Sequence, residues 1–366
     1  MQSLSALRER QRQAGAVFAS DSGTPADGEL PVHFGNPREE YAAATSGAAL
    51  FDWSDHGIIE LAGSDRVKFL HSFCTNDVKR LTTGQGCEAF VTNVKGRILG
   101  HVWIEAGSSS LRLDLGPVPT DRLLAHLERY IINEDVAITD RTPEWGELLV
   151  MGPSAARAIA PVFGEIAGLG PLGHVDEHGA MGPIRVSRRD IGIHTAYVIS
   201  TPHAALAELW QTLREGGARP GGSAVWSGLR IEAGLPIYGV DLTDDNLAHE
   251  AGRTRSAISF TKGCYLGQEP IARLDAMGHV NRELRSLRIS GDVIPAAGAR
   301  VFSDAGGSTV VGSVTSAARS FGSNSAVALG LLRSSVSATG TQVFVETGPS
   351  LSSATAFWSP ADEAGQ

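Results

Sequence analysis

Cysteine is scarce in this chain of 366 residues: three occur, Cys74, Cys87 and Cys264. Their separations fit no zinc or iron–sulfur ligand spacing, and an odd count is a poor disulfide framework. Cys74 and Cys87 read as small buried apolar residues. Long apolar runs are missing too. No stretch reaches the roughly 18–20 uninterrupted apolar residues of a membrane span, so no membrane partner is expected. Nor is there a long run of Lys or Arg: 31 basic residues stand against 40 acidic ones, a net charge of −9. That balance argues against nucleic acid as a direct partner and leaves room for a small basic pocket that takes an anion. The segment Met1–Gly15 is polar, carries Arg8, Arg10 and Arg12, and lacks the apolar core of a signal peptide. A cytoplasmic location is expected from it.

What is present suffices for packed cores, since 42% of the residues are hydrophobic. The length suggests two or three domains, because a single core rarely grows past about 250–300 residues. Residues 1–40 are polar and punctuated by Gly and Pro, which predicts a loose lead-in. Two α+β portions are expected at 41–145 and 146–285, with antiparallel sheets, since many strand-like runs are joined by short turns. Leu111, Leu113 and Leu115 alternate as a half-buried strand should. Thr120, Ser154 and Thr201 are placed to cap helices, the last with Pro202 at the first helical position. After Arg285 helical periodicity stops. Short β runs at Ser286–Ile289, Arg300–Phe302, Val310–Thr315, Ala326–Leu331 and Gln342–Glu346 predict a β-barrel over 286–366.

The chemistry concentrates in Thr261–Arg285, TKGCYLGQEPIARLDAMGHVNRELR. Gly263 and Gly267 permit a tight turn, and Pro270 suits the first turn of a helix. Cys264 would then precede a helix N-terminus with Lys262 and Arg273 near it, surroundings that favour the thiolate. On spacing alone, an inert cysteine in a Gly-rich turn is an equal reading.

The run Lys262-Gly263-Cys264-Tyr265, followed by Gly267-Gln268-Glu269 and Ala272-Arg273, resembles the signature of the YgfZ-type folate-binding proteins. These are relatives of the glycine-cleavage T-protein, an aminomethyltransferase. Weaker resemblance runs from about Tyr41 to Leu332, through Gly47–Trp53 (GAALFDW), Phe69-Leu70, Thr75-Asn76-Asp77-Val78 and Arg230–Gly239 (RIEAGLPIYG). The resemblance implies two α+β portions and a C-terminal barrel, arranged as a ring around a central folate cavity, with tetrahydrofolate or a derivative as cofactor. It further implies a functional thiol at Cys264 with Lys262 biasing it toward thiolate. Trp226 would stack the folate and Trp53 would form a looser second aromatic wall. Tyr265, Gln268, Glu269 and Arg273 are carried over as binding residues that order the turn.

Within this resemblance two branches differ. The T-proteins carry an acidic pair where Lys95–Val102 (KGRILGHV) here reads Leu99 and Gly100. Without a carboxylate to polarise the transferred unit, aminomethyl transfer is disfavoured. Trp226 stands where T-proteins place a folate-gripping Arg, as the YgfZ type does. The expectation is a tetrahydrofolate-binding factor supporting iron–sulfur cluster assembly or repair, with iron–sulfur client proteins as partners and, through them, an effect on tRNA modification. The alternatives are a folate-dependent aminomethyltransferase or other one-carbon transferase, and a folate-regulated binding module. Asp244-Asp245 and His249-Glu250 read as a solvated turn rather than metal ligands. His279 is placed to line a cavity, and Arg282 and Arg285 to form a basic rim or plain surface charge.

Overall fold

The computed structural model describes residues 4–19 and 29–357, apart from Glu165, Ala167, Ala180 and His279. The chain folds as two compact units whose segments interleave. The first takes Met1–Arg66, Leu81–Gly86 and Trp103–Trp226; the second takes Val67–Arg80, Cys87–Val102 and Ser227–Gln366. The fold is α+β with a closed C-terminal barrel, as the sequence predicts. Among the described residues no helix is long and apolar enough to cross a membrane.

In the first unit a six-stranded sheet runs in the order Arg219–Gly221, Ala49–Asp52, Trp145–Met151, Ala196–Pro202, Gly182–Arg188, His174–Gly179. Only the pairing of Ala49–Asp52 with Arg219–Gly221 is parallel. One face supplies Leu50, Leu148, Val150, Tyr197 and Ile199, which pack against Ile159, Leu206, Leu209 and Trp210 of the helices Ala155–Phe163 and His203–Glu215. Strand and helix thus each bury one stripe, as a two-layer core requires. Thr201 does not cap the second of these helices. The ladder extends to Pro202, opposite Trp145, so the strand runs through Thr201 and the helix begins at His203 with Pro202 as its N-cap.

Part of the expected lead-in is ordered. The helix Ser5–Gln13 inserts Leu7 into the same core and buries Arg8 and Gln11. Arg8 ion-pairs with Asp52 and donates to Ser54 Oγ at 3.1 Å, while Gln11 Nε2 donates to Asp52 at 2.6 Å. A polar sequence can dock when its charges find buried partners, which composition alone does not reveal.

A five-stranded sheet follows the order Gln85–Thr92, Ile98–Ala106, Ser110–Asp114, Ile58–Ala62, Ala137–Asp140. In the second unit six strands close into a barrel: Arg282–Ile289, Ser325–Arg333, Val310–Ser320, Arg300–Phe302, Gln342–Thr347, Ser350–Phe357. Leu287, Val301, Val314, Ala328, Val343, Val345 and Ala356 fill its interior. Leu284, Ala318, Val327 and Leu329 belong instead to a neighbouring core with Phe90, Ile98, Ile231, Leu242 and Ile271. The last strand, SLSSATAF, is absent from the sequence reading; its serines mask the alternation that reaches Ala354 and Ala356.

Candidate functional site

The signature turn lies wholly in the second unit. Lys262 is buried there, and its Nζ donates to the carbonyls of His71 at 2.6 Å, Cys74 at 2.6 Å and Asn76 at 2.8 Å. An ammonium has three N–H donors, and all three are used. The same Nζ sits 4.7 Å from the ring centroid of Tyr265. The ammonium that the sequence reading sets beside Cys264 is thus hydrogen-bonded to backbone oxygens around Cys74. Burial pushes the Lys262 ammonium below its ordinary value, with Cys74 and Asp77 opposing.

Two further bonds hold the turn. Leu266 N donates to Ser72 O at 2.9 Å, and Thr92 Oγ1 donates to Leu266 O at 2.7 Å. Gly267 has φ +83°, and a Cβ there would come 2.3 Å from Asn93 O and 3.1 Å from Gly96 Cα. The signature's second glycine is therefore required twice, by its left-handed backbone and by close approach to the turn at 93–96. The helix Gln268–Met277 starts directly after it, with Pro270 as its third residue.

Cys264 is exposed on this turn. Tyr265 is buried among Phe90, Ile271 and Leu284, so it is a core residue with a cation on its face. Gln268 is half-buried and its N donates to Tyr265 O at 3.1 Å, whereas Glu269 and Arg273 are exposed on the helix. His279 lies outside the described residues.

The sequence reading missed His71 and Asp77, which flank the Lys262 acceptors. Their side chains are 5% and 15% exposed, with His71 Nδ1 3.4 Å from Asp77 Oδ1. Also in this unit, Glu88 accepts from Arg253 Nε at 2.8 Å and meets His101 Nε2 at 2.7 Å. Burial alone would raise the Glu88 carboxyl, but Arg253 and then His101 outweigh it and hold it well below the usual range. Two expectations fail here. Glu250 is not in a solvated loop, because it is buried and accepts from Asn246 Nδ2 at 3.0 Å. Arg285 is not a rim residue: it is buried, donating to Ser337 O at 2.9 Å and Glu283 at 2.6 Å. Arg282 is half-exposed and pairs with Glu250.

Trp226 and Trp53 belong to the first unit, apart from the signature residues in chain and in fold unit. Trp226 is half-buried, edge-on to Trp53 with centroids 5.0 Å apart and 5.9 Å from Phe51. Trp53 is 3% exposed and stacks on His56 at 4.3 Å. Its indole Nε1 is buried with no hydrogen-bond partner.

Beneath Trp53 lies a charge network that no sequence pattern signalled. His56 Nδ1 is 3.1 Å from Asp114 and 3.5 Å from Glu147. Arg189 pairs with Asp114, and Arg112 Nη2 donates to Glu147 at 2.9 Å. Burial opposes the His56 charge, yet Asp114 and Glu147 prevail and push the imidazole up to about 10. His56, Asp114 and Glu147 each bring a potential metal-ligand atom within 4.8 Å of the others. With both carboxylates neutralised by arginines and the imidazole protonated, the trio is an ion-pair network and does not fit a cation.

Comparison with known proteins gives a consistent result. The chain matches the GCVT N-terminal domain over residues 7–262 and the glycine cleavage T-protein C-terminal barrel domain over residues 282–361. It is 29% identical over 286 residues to an aminomethyltransferase of Rubrobacter xylanophilus, covering 78% of this chain and 76% of that one. It is 32% identical over 267 residues to a putative chloroplastic transferase of Arabidopsis thaliana, covering 72% and 61%. Among solved structures, the glycine cleavage system aminomethyltransferase T from Bartonella henselae superposes with TM-score 0.85 at 22% identity, covering 97% and 96%. That last likeness is one of fold.

Proposed function

The chain belongs to the glycine cleavage T-protein family, and from that premise we propose that it is a YgfZ-type tetrahydrofolate-binding protein whose thiol, Cys264, supports iron–sulfur cluster assembly or repair. The observation that carries this reading is the exposure of Cys264 on a turn held on one side by the Lys262 ammonium and on the other by the Leu266 backbone N–H. A presented thiol on a fixed turn suits contact with a client protein's cluster or sulfur, and through such clients tRNA modification.

Tetrahydrofolate is the one-carbon carrier of the family, and the residues of the first unit fit part of it. Trp226 offers a half-buried aromatic face, and the unpartnered Trp53 Nε1 offers a donor beside it. A stacked ring with a nearby heteroatom acceptor satisfies both groups. Against aminomethyl transfer stand Leu99 and Gly100, which supply no acid, while Glu88 is held by Arg253 and His101.

The test is a tetrahydrofolate titration followed by tryptophan fluorescence, beside an assay for methylene transfer from an aminomethyl donor. Binding without product, weakened by roughly 1–3 kcal/mol in Trp226→Ala, is the expected outcome. Protein-dependent product would replace this reading with the aminomethyltransferase one. Unchanged affinity in Trp226→Ala would remove Trp226 from the folate site.

A further inference from the structure

We propose that a recess in the first unit binds a small α-amino acid, held as its zwitterion between Arg112 and Glu60. The recess measures about 70 Å³, and its walls include Ile58, Glu60, Arg112, Arg141, Trp145 and Arg185. All six belong to the first unit. None of them takes part in the folate or thiol reading, so the inference stands apart from it.

The starting observation is an under-used guanidinium. The Arg112 side chain is 9% exposed and lies over the Trp145 ring, 5.2 Å from its centroid. One of its five N–H groups, on Nη2, donates to Glu147 at 2.9 Å, and among the described residues nothing accepts from Nε or Nη1. Neither of those nitrogens is sealed in. A buried cation with donors to spare is costly, and an oxyanion in the recess offsets that cost. The other two arginines are largely spent. Arg185 donates to Asp176 from Nε at 2.6 Å and from Nη2 at 2.9 Å, and to Glu105 from Nη1 at 3.1 Å. Arg141 donates to Glu60 at 2.9 Å and to Glu144 at 3.0 Å.

The matching acceptor is Glu60, which stands directly opposite Arg112 across the strand pair. Its Oε1 takes the Arg141 bond, and its Oε2 has no donor among the described residues. Opposed side chains on neighbouring strands have Cβ atoms roughly 5 Å apart, so a ligand whose ammonium and carboxylate share one carbon can reach both.

Charge balance selects the zwitterion. The three arginines touch five carboxylates, those of Glu60, Glu105, Glu144, Glu147 and Asp176. His56 and Arg189 add two cations to this network, and Asp114 adds one more acid. Negative charge is therefore in slight excess. A bare anion is opposed by that excess, and a bare cation meets the unused N–H groups of Arg112. A zwitterion adds no net charge and pairs at both ends. A water takes about 30 Å³ in the liquid, so the recess suits an amino-acid head group and excludes a nucleotide. Ile58 and Trp145 provide a wall for a short apolar side chain.

The test is fluorine NMR of the full chain labelled with fluorotryptophan and titrated with L-alanine. The chain has six tryptophans, and Trp145→Phe identifies the line of Trp145. L-alanine should shift that line with a Kd of about 1 mM. Propionate, which lacks the ammonium, and ethylamine, which lacks the carboxylate, should bind at least about tenfold more weakly. Arg112→Gln should weaken L-alanine by at least about tenfold, and Glu60→Gln should bring L-alanine and propionate to within about twofold of each other. Such a change of preference is not produced by a merely structural role. Propionate binding as tightly as L-alanine would overturn the proposal in favour of a plain anion site. An unmoved Trp145 line, or a shift confined to other tryptophans, would overturn it outright. Arg112→Gln leaves the buried Glu147 without its arginine; should that variant fail to fold, a parent-like preference in Glu60→Gln overturns the proposal alone.

Discussion

The ammonium of Lys262 lies 2.6 Å from the carbonyl oxygen of Cys74, across 188 positions of sequence. A side chain that satisfies three backbone acceptors at once is a fastening, and its loss exposes three buried oxygens to one another without a donor. Lys262→Met should therefore lower the unfolding free energy by about 2–4 kcal/mol, measured by urea denaturation. The alkylation rate of Cys264 at pH 7 should change by less than about twofold. A large loss of rate at unchanged stability would return Lys262 to the role the sequence suggests.

The three thiols should separate cleanly. Cys264 is exposed, while Cys74 and Cys87 are buried, and burial pushes both of their thiols up. In the native protein, labelling at Cys264 should exceed that at either other cysteine by at least about 100-fold, and denaturant should equalise them. Early labelling at Cys74 would mean that the strand contact it makes with Val91 opens readily.

Stability should fall with rising pH because of His56. An imidazole held at about 10 in the folded chain, against 6.5 when unfolded, binds its proton more tightly in the native state. Its contribution is complete below pH 6.5 and is lost as the pH rises toward 10, on the order of 5 kcal/mol in all. Denaturation at pH 6.5, 8 and 9.5 measures the slope, and His56→Gln should flatten it. An equal slope in the variant would assign the effect to other groups.

Arg8→Met should cost about 3–5 kcal/mol, the scale of leaving one partner of a buried ion pair uncompensated. Asp52 would keep Gln11 and lose its cation. A thermal melt unchanged in this variant would show that the N-terminal helix contributes little to the core it enters.

What the sequence discloses and what it withholds divide along a physical line. The barrel strands were legible because short alternating runs between Gly and Ser turns have few other uses, and the signature was legible because its glycines are required by local geometry. Arg112 and Asp114 were not. They alternate with Leu111 and Leu113 and so resemble the wet side of a half-buried strand, yet both are buried. Their counter-charges, Glu147 and Arg189, are 35 and 75 residues away in the chain. Pairing at that separation is set by register between strands, which no window of sequence contains. His71 was missed for the same reason, since its neighbour Gly263 is close only in space.

The interleaving of the two units bears on the order in which a ribosome could complete them. Every segment of the first unit has been synthesised by Trp226, whereas 67–80 and 87–102 belong to a unit finished only when the last 140 residues emerge. Until Arg253 and Lys262 have been added, Glu88 has no arginine and the carbonyls of His71, Cys74 and Asn76 have no ammonium. A nascent chain thus carries two stretches in waiting, and a gene fragment cut at residue 227 would produce a barrel whose signature turn has nothing to grip.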